Sequence, residues 1–237
     1  MIQKEELKKE LDSILKYWID NTQDKEFGGF IGQRNSDNSI DPKSSKGAVL
    51  NTRILWTFSA AYRFDPKPEY KKMADRAFDY IVSHFWDKKN GGIYWELDYQ
   101  GNPINTRKQV YAQGFGVYGF SEYYRAFKHE KALEYAKELQ SLIEKYSFDS
   151  KNLGYIEALS EDWGQLDDLR LSKKDYNTPK SMNTHLHILE PYTNLYRIWP
   201  NEELKKSIQH LIHVFLTYII DNETYQFNLF FDKNWDI

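Results

Sequence analysis

The chain has 237 residues, 41% hydrophobic and 28% charged, with a net charge of −3. That is enough for a sizeable core in one domain or two small ones, and too evenly balanced to call for nucleic acid or an anionic membrane as partner. There is no cysteine, which excludes disulfides, a thiol nucleophile and Cys-based metal sites and suits a reducing cytoplasm.

The opening segment, MIQKEELKKELDSI, is charged and amphipathic and lacks the apolar core of a signal peptide. Leu7, Leu11, Ile14, Leu15 and Trp18 recur at helical spacing and predict a first helix with one apolar face. Comparable periodicity predicts helices over 46–64, 69–86, 108–127, 130–146, 181–198 and 202–220. Pro66 and Pro68 separate the second from the third, and Pro200 with Asn201 the sixth from the seventh. The longest apolar stretch, near 211–220, is interrupted by His213 and Thr217 and is too short to span a bilayer. The expectation is a soluble, cytoplasmic protein.

A loop recurs between alternate helices: DKEFGGF from Asp24, DKKNGGIYWELD from Asp87, DSKNLGYIEAL from Asp149 and DNETYQFNLFF from Asp221, at intervals of 63, 62 and 72 residues. Each acidic, turn-forming start leads into a short aromatic or β-branched run (28–31, 92–97, 154–158, 227–231), which predicts strands or hairpin arms. A period of two helices plus a loop is a repeated helical hairpin, and one hairpin alone leaves apolar faces uncovered, so neighbours stack. An open solenoid and a closed ring both satisfy that need. The helix after each loop is rich in small and polar residues, as in GAVLNTR and YAQGFGVYG, which favours crowding around an axis. The predicted fold is therefore all-α, an (α/α)6 toroid of repeated hairpins with short β-hairpin loops. Seven helices do not close a six-hairpin ring, and FNLFFDKNWDI stops inside the fourth strand-like run. The expectation is a single, partial α/α-barrel catalytic domain over 1–237.

Aromatic residues make up 16% of the chain (7 Trp, 18 Tyr, 14 Phe), as expected either of rings that stack on sugars or of a core built from large side chains. The segment SMNTHLHILEPYTNLYRIW sets Asn183, His187 and Glu190 at i, i+4 and i+7 on one helix face. His185, two residues and about 200° from His187, points away. Such a polar stripe is costly to bury unpartnered, so it faces a wet cavity, or His187 is a core histidine satisfied by Glu190 or Asn183. Arg53, Tyr111 and Gln113 occupy the starts of two other presumed inner helices. His84, His129, His210 and His213 fall on presumed outer helices or their ends. No HExxH spacing exists, and a metal is not expected.

Together GAVLNTRILWTFSAAYR, YAQGFGVYGFSEYYRA and NTHLHILEPYTNLYR resemble the cellobiose 2-epimerases of the N-acylglucosamine 2-epimerase superfamily, in order and over essentially the whole chain. The resemblance implies an α/α barrel that inverts carbon 2 of a reducing-end glucose, converting cellobiose to glucosyl-mannose through an enediolate without metal or nucleotide cofactor. It implies that His187 is an acid/base, that Arg53 steadies the enediolate and that Tyr111 and Asn183 hold the sugar; Glu190 and Gln113, from their places on the same inner helices, are expected as further substrate contacts. The partner is then a small-molecule disaccharide such as cellobiose or lactose, bound by a monomer. The family's ring-opening histidine, its partner glutamate and its opposite-face histidine have no counterpart here. An N-acylglucosamine 2-epimerase, an aldose–ketose isomerase, a glycoside hydrolase using Glu157 and Glu190, and a non-catalytic sugar-binding module stand as alternatives.

Overall fold

The computed structural model describes residues 4–237, so the first three residues of the predicted N-terminal segment lie outside it. Helix α1 (Lys4–Asn21) is followed by α2 (Ala48–Phe64), α3 (Pro68–Tyr80), α4 (Val110–Phe127), α5 (Glu130–Tyr146), α6 (Met182–Tyr196) and α7 (Glu202–Val214). Helices α3 and α7 each run on into one π-type turn, Ile81–Phe85 and Phe215–Ile219, whose closing bonds are Trp86 N–H to Ile81 O and Ile220 N–H to Phe215 O, both 2.9 Å.

Helices α2, α4 and α6 pack side by side as an inner row, while α3, α5 and α7 cover them from outside. The row is close because small residues line it. A Cβ on Gly119 of α4 would lie 2.8 Å from the Thr52 carbonyl of α2, and one on Gly114 would lie 2.2 Å from the His187 carbonyl of α6. Pro191 explains the second contact: it has no N–H to offer His187 O four residues earlier, so that carbonyl stays free. The α4–α6 spacing is set there. The described residues thus form an arc of an α/α toroid.

The helix starts are tied together by two-residue antiparallel strands. Lys46–Gly47 (β3), which leads into α2, pairs with Glu96–Leu97 (β4) of the next repeat's loop. Lys108–Gln109 (β6) pairs likewise with Ala158–Leu159 (β7), and Lys180–Ser181 (β8) with Phe230–Phe231 (β9). A hairpin of Gln33–Arg34 (β1) and Ile40–Asp41 (β2) and a strand at Pro103–Asn105 (β5) complete the set. The helices expected from 46, 108 and 181 therefore begin one or two residues later, because each opening is spent on a strand. Three of the expected strand-like runs hold residues of these strands at their C-terminal ends (β4 in 92–97, β7 from 158, β9 in 227–231), and all four also make an isolated bridge, Gln23 with Phe30, Trp86 with Ile93, Phe148 with Tyr155 and Ile220 with Phe227, each closing one aspartate loop.

One feature of these junctions escaped the sequence reading. The lysine opening each inner helix reaches back to the aspartate opening the preceding loop: Lys46 to Asp24 at 2.6 Å, Lys108 to Asp87 at 2.7 Å and Lys180 to Asp149 at 3.0 Å. Each aspartate also accepts two N–H groups of its own loop, and each ammonium lies under an aromatic ring, those of Tyr80, Tyr94 and Trp235. Lysine on a polar stretch ordinarily reads as solvated surface; its recurrence at 46, 108 and 180 was the available signal.

The stripe on α1 is only partly used. Leu15 is buried, whereas Leu7 is 59% exposed and Leu11 and Ile14 also face outward, because α1 stands at the edge of the arc. Among the described residues no helix is long and apolar enough to cross a membrane.

Candidate functional site

The repeat register defines the site. Counting from the three opening lysines, Arg53, Phe115 and His187 fall at the same position of α2, α4 and α6. Their side chains meet in succession: the Arg53 guanidinium lies 4.4 Å over the Phe115 ring, and Phe115 lies 4.8 Å from the His187 ring. One turn nearer the helix starts, Tyr111 sits with its hydroxyl accepting from Arg53 Nη2 at 3.2 Å and its ring edge-on to His187 at 4.8 Å. Trp56 and Tyr118, stacked at 5.0 Å, extend the aromatic wall along α2 and α4.

His187 is held by Glu190, whose Oε2 lies 2.8 Å from Nδ1. With Nδ1–H donating to that carboxylate, Nε2 carries the lone pair. Burial lowers the His187 pKa, the Arg53 charge lowers it further, and Glu190 opposes both; the ring is neutral at neutral pH and able to take a proton. Glu190, expected as a substrate contact, is in the first place the group that orients His187. Asn183 lies a turn before His187 and lines a cavity of about 210 Å³ together with Glu157 and Ser181.

Gln113 is not part of this group. It is wholly buried, with Oε1 accepting from Ile93 N–H and Nε2 donating to Ile93 O, both at 2.8 Å. Its place in α4 is that of His185 in α6, whose Nε2 accepts from Tyr155 N–H at 2.9 Å and which burial brings to a pKa of about 4. Both pin a loop to a helix. The i+2 geometry that turns His185 away from the axis turns Gln113 away from Tyr111 in the same manner.

Glu157 and Glu190 do not form a free carboxylate pair. Glu157 is buried and accepts from Thr184 Oγ1 at 2.8 Å, while Glu190 is engaged with His187. His84 and His129 sit at the ends of the outer row and His210 and His213 on α7. Among the described residues no group of three or more His, Cys, Asp or Glu could hold a metal ion.

The sequence profile of the N-acylglucosamine 2-epimerase (GlcNAc 2-epimerase) family matches residues 29–237. A cellobiose 2-epimerase of Bacteroides fragilis is 50% identical over 235 residues, which are 99% of this chain and 60% of that protein. One of Dictyoglomus turgidum is 38% identical over 222 residues, 94% of this chain and 56% of that protein. The solved structure of cellobiose 2-epimerase from Bacillus thermoamylovorans B4167 superposes with a TM-score of 0.91 at 38% identity, covering 96% of this chain and 60% of that one. The chain thus spans about three fifths of the length of these relatives.

Proposed function

The chain belongs to the N-acylglucosamine 2-epimerase family, and from that premise we propose that it carries one proton-transfer face of a cellobiose 2-epimerase. The observation that carries the reading is the His187–Glu190 pair set against Arg53 and Tyr111. In the open-chain sugar the proton on carbon 2 is weakly acidic, and its removal needs a base titrating near neutrality. Neutral His187 takes that proton on Nε2, and Glu190 stabilises the imidazolium that results. The electrons move into the carbonyl, giving an enediolate whose negative oxygen the Arg53 guanidinium offsets in a sheltered site. Tyr111 Oη, which accepts from Arg53, keeps its own proton to donate to a sugar oxygen, and Asn183 holds a neighbouring hydroxyl.

Inversion requires the proton to return on the opposite face. Among the described residues no second histidine stands on the inner row beside His187: His185 is pinned to Tyr155, and the others lie on the outer row. His187 is one base of a two-base reaction. Residues 1–237 act as part of a single catalytic barrel, monomeric and cytoplasmic, without a cofactor and with cellobiose or a related β-1,4-disaccharide as substrate; the lack of cysteine suits that compartment.

The test is isotopic. Cellobiose incubated with the protein in heavy water acquires deuterium at carbon 2 by NMR, and His187→Ala abolishes the uptake while the far-UV spectrum stays helical. No uptake with the unaltered chain would falsify the reading.

A further inference from the structure

Glu157 is a buried acid that the mechanism above leaves unused. Its backbone is fixed from both sides: its N–H donates to Pro179 O at 3.0 Å, and its carbonyl accepts from Val110 N–H, which opens α4, at 2.9 Å. The side chain is 4% exposed. Oε2 accepts from Thr184 Oγ1, whereas Oε1 is buried without a hydrogen-bond partner, and Glu157 stands in the wall of the 210 Å³ cavity that Asn183 also lines. Thr178 and Asp175 add polar groups to that wall, and Leu229 and Phe230 an apolar side. The segment 160–179 roofs it, held down by Arg107 Nη2 on Asp168 O at 2.8 Å and Gln109 Nε2 on Leu169 O at 3.3 Å.

A carboxylate with one oxygen buried and unpaired is costly; a carboxylic acid in the same place is not. Burial raises the Glu157 pKa to about 7, against the Thr184 hydrogen bond and the nearby polar groups of Ser181, which pull it down. A protonated acid both donates and accepts, and so does an alcohol, so the two complement each other without any change of charge. The cavity is several times the roughly 30 Å³ share of one water molecule, and Asn183, on its wall, lies one helical turn from His187.

We propose that Glu157 is a substrate-contacting residue, whose Oε1 grips, together with the Asn183 amide, a ring hydroxyl of the sugar handled by His187. The assignment rests on reading the cavity as a sugar site, and its test is kept separate from carbon-2 exchange. Cellobiose is titrated into the 237-residue chain by calorimetry for the unaltered protein, Glu157→Gln and Glu157→Met, with thermal melts run in parallel. Glutamine keeps a neutral donor–acceptor group and binds within about threefold of the unaltered chain; methionine keeps the volume but not the hydrogen bond and binds roughly tenfold more weakly. Equal affinity for Glu157→Met, an equal loss for Glu157→Gln, or no cellobiose binding by the unaltered chain each overturns the assignment. So does a lowered melting temperature in Glu157→Met with undiminished affinity, the mark of a purely structural role. Glu157-sensitive binding without deuterium exchange leaves the subsite standing and removes the epimerase reading, and exchange with Glu157-insensitive binding does the reverse.

Discussion

Two layers of charged and aromatic groups lie at the same end of the inner helices, and they are built by opposite rules. In the outer layer each repeat supplies the same pair, Lys46 with Asp24, Lys108 with Asp87 and Lys180 with Asp149, always beneath an aromatic ring. Two turns further along the same helices the shared position carries Arg53, Phe115 and His187, three different chemistries in contact with one another. Where the repeats agree, the residue fastens a loop to a helix; where they differ at one register, three unlike side chains meet in the candidate site.

That contrast can be broken first at the fastening layer. Lys108 and Asp87 are both fully buried, so Lys108→Met leaves an uncompensated buried carboxylate and lowers stability by about 3–5 kcal/mol, a large share of a domain's total, as read by chemical denaturation. Burial alone would raise Asp87, but Lys108 and the N–H groups of Asn90 and Lys89 outweigh it and hold the acid at about 2. Its contribution is complete above the ordinary carboxylate range and disappears as the pH falls from roughly 4 to 2. Lys108→Met should lose less stability over that interval than the unaltered chain. An equal acid loss would mean that other carboxylates carry it.

At the chemical layer the outcome reverses. On the proposed mechanism His187→Ala removes the general base and costs roughly 10²- to 10⁴-fold in carbon-2 exchange, yet shifts stability by only about 1 kcal/mol. A collapse of the fold would instead place His187 with the fasteners. Gly114→Ala crosses the two layers, since its Cβ would meet the His187 carbonyl. We expect a loss of about 1–3 kcal/mol from overpacking together with slowed exchange, because α6 must move to make room. The smallest effect concerns pH. Burial and the Arg53 charge both lower His187, so the acid limb of the exchange profile lies below the ordinary histidine value of about 6.5. Arg53→Met should move that limb upward in pH, in addition to slowing the reaction; an unmoved limb would separate Arg53 from His187 electrostatically.

Much of the frame was legible because helices advertise themselves by period. All seven are present, the six with expected spans lie close to them once the two π-type turns are included, and proline marks two of the breaks. The group of Arg53, Tyr111, His187 and Glu190 was also accessible, since the helical angle and the repeat position are both arithmetic on residue numbers. Gln113 falls outside the group by the same arithmetic that turns His185 away, since two residues from Tyr111 is about 200° around the helix. The stripe on α1 shows a different limit: periodicity says which face of a helix is apolar, and only tertiary structure says whether anything lies against it. The lysine cradles were hidden by composition, because a lysine is buried here only through an acid more than twenty residues upstream, a pairing that no local pattern contains.

Those cradles also make the protein's amines unequal. Lys46, Lys108 and Lys180 are almost completely shielded, while Lys16 and Lys206 stand well into solvent. An acylating reagent in limiting time should therefore mark the surface lysines and spare these three. Any label they do acquire records the opening of one particular loop, so peptide mapping by mass spectrometry would rank the junctions of the arc by how often each comes apart.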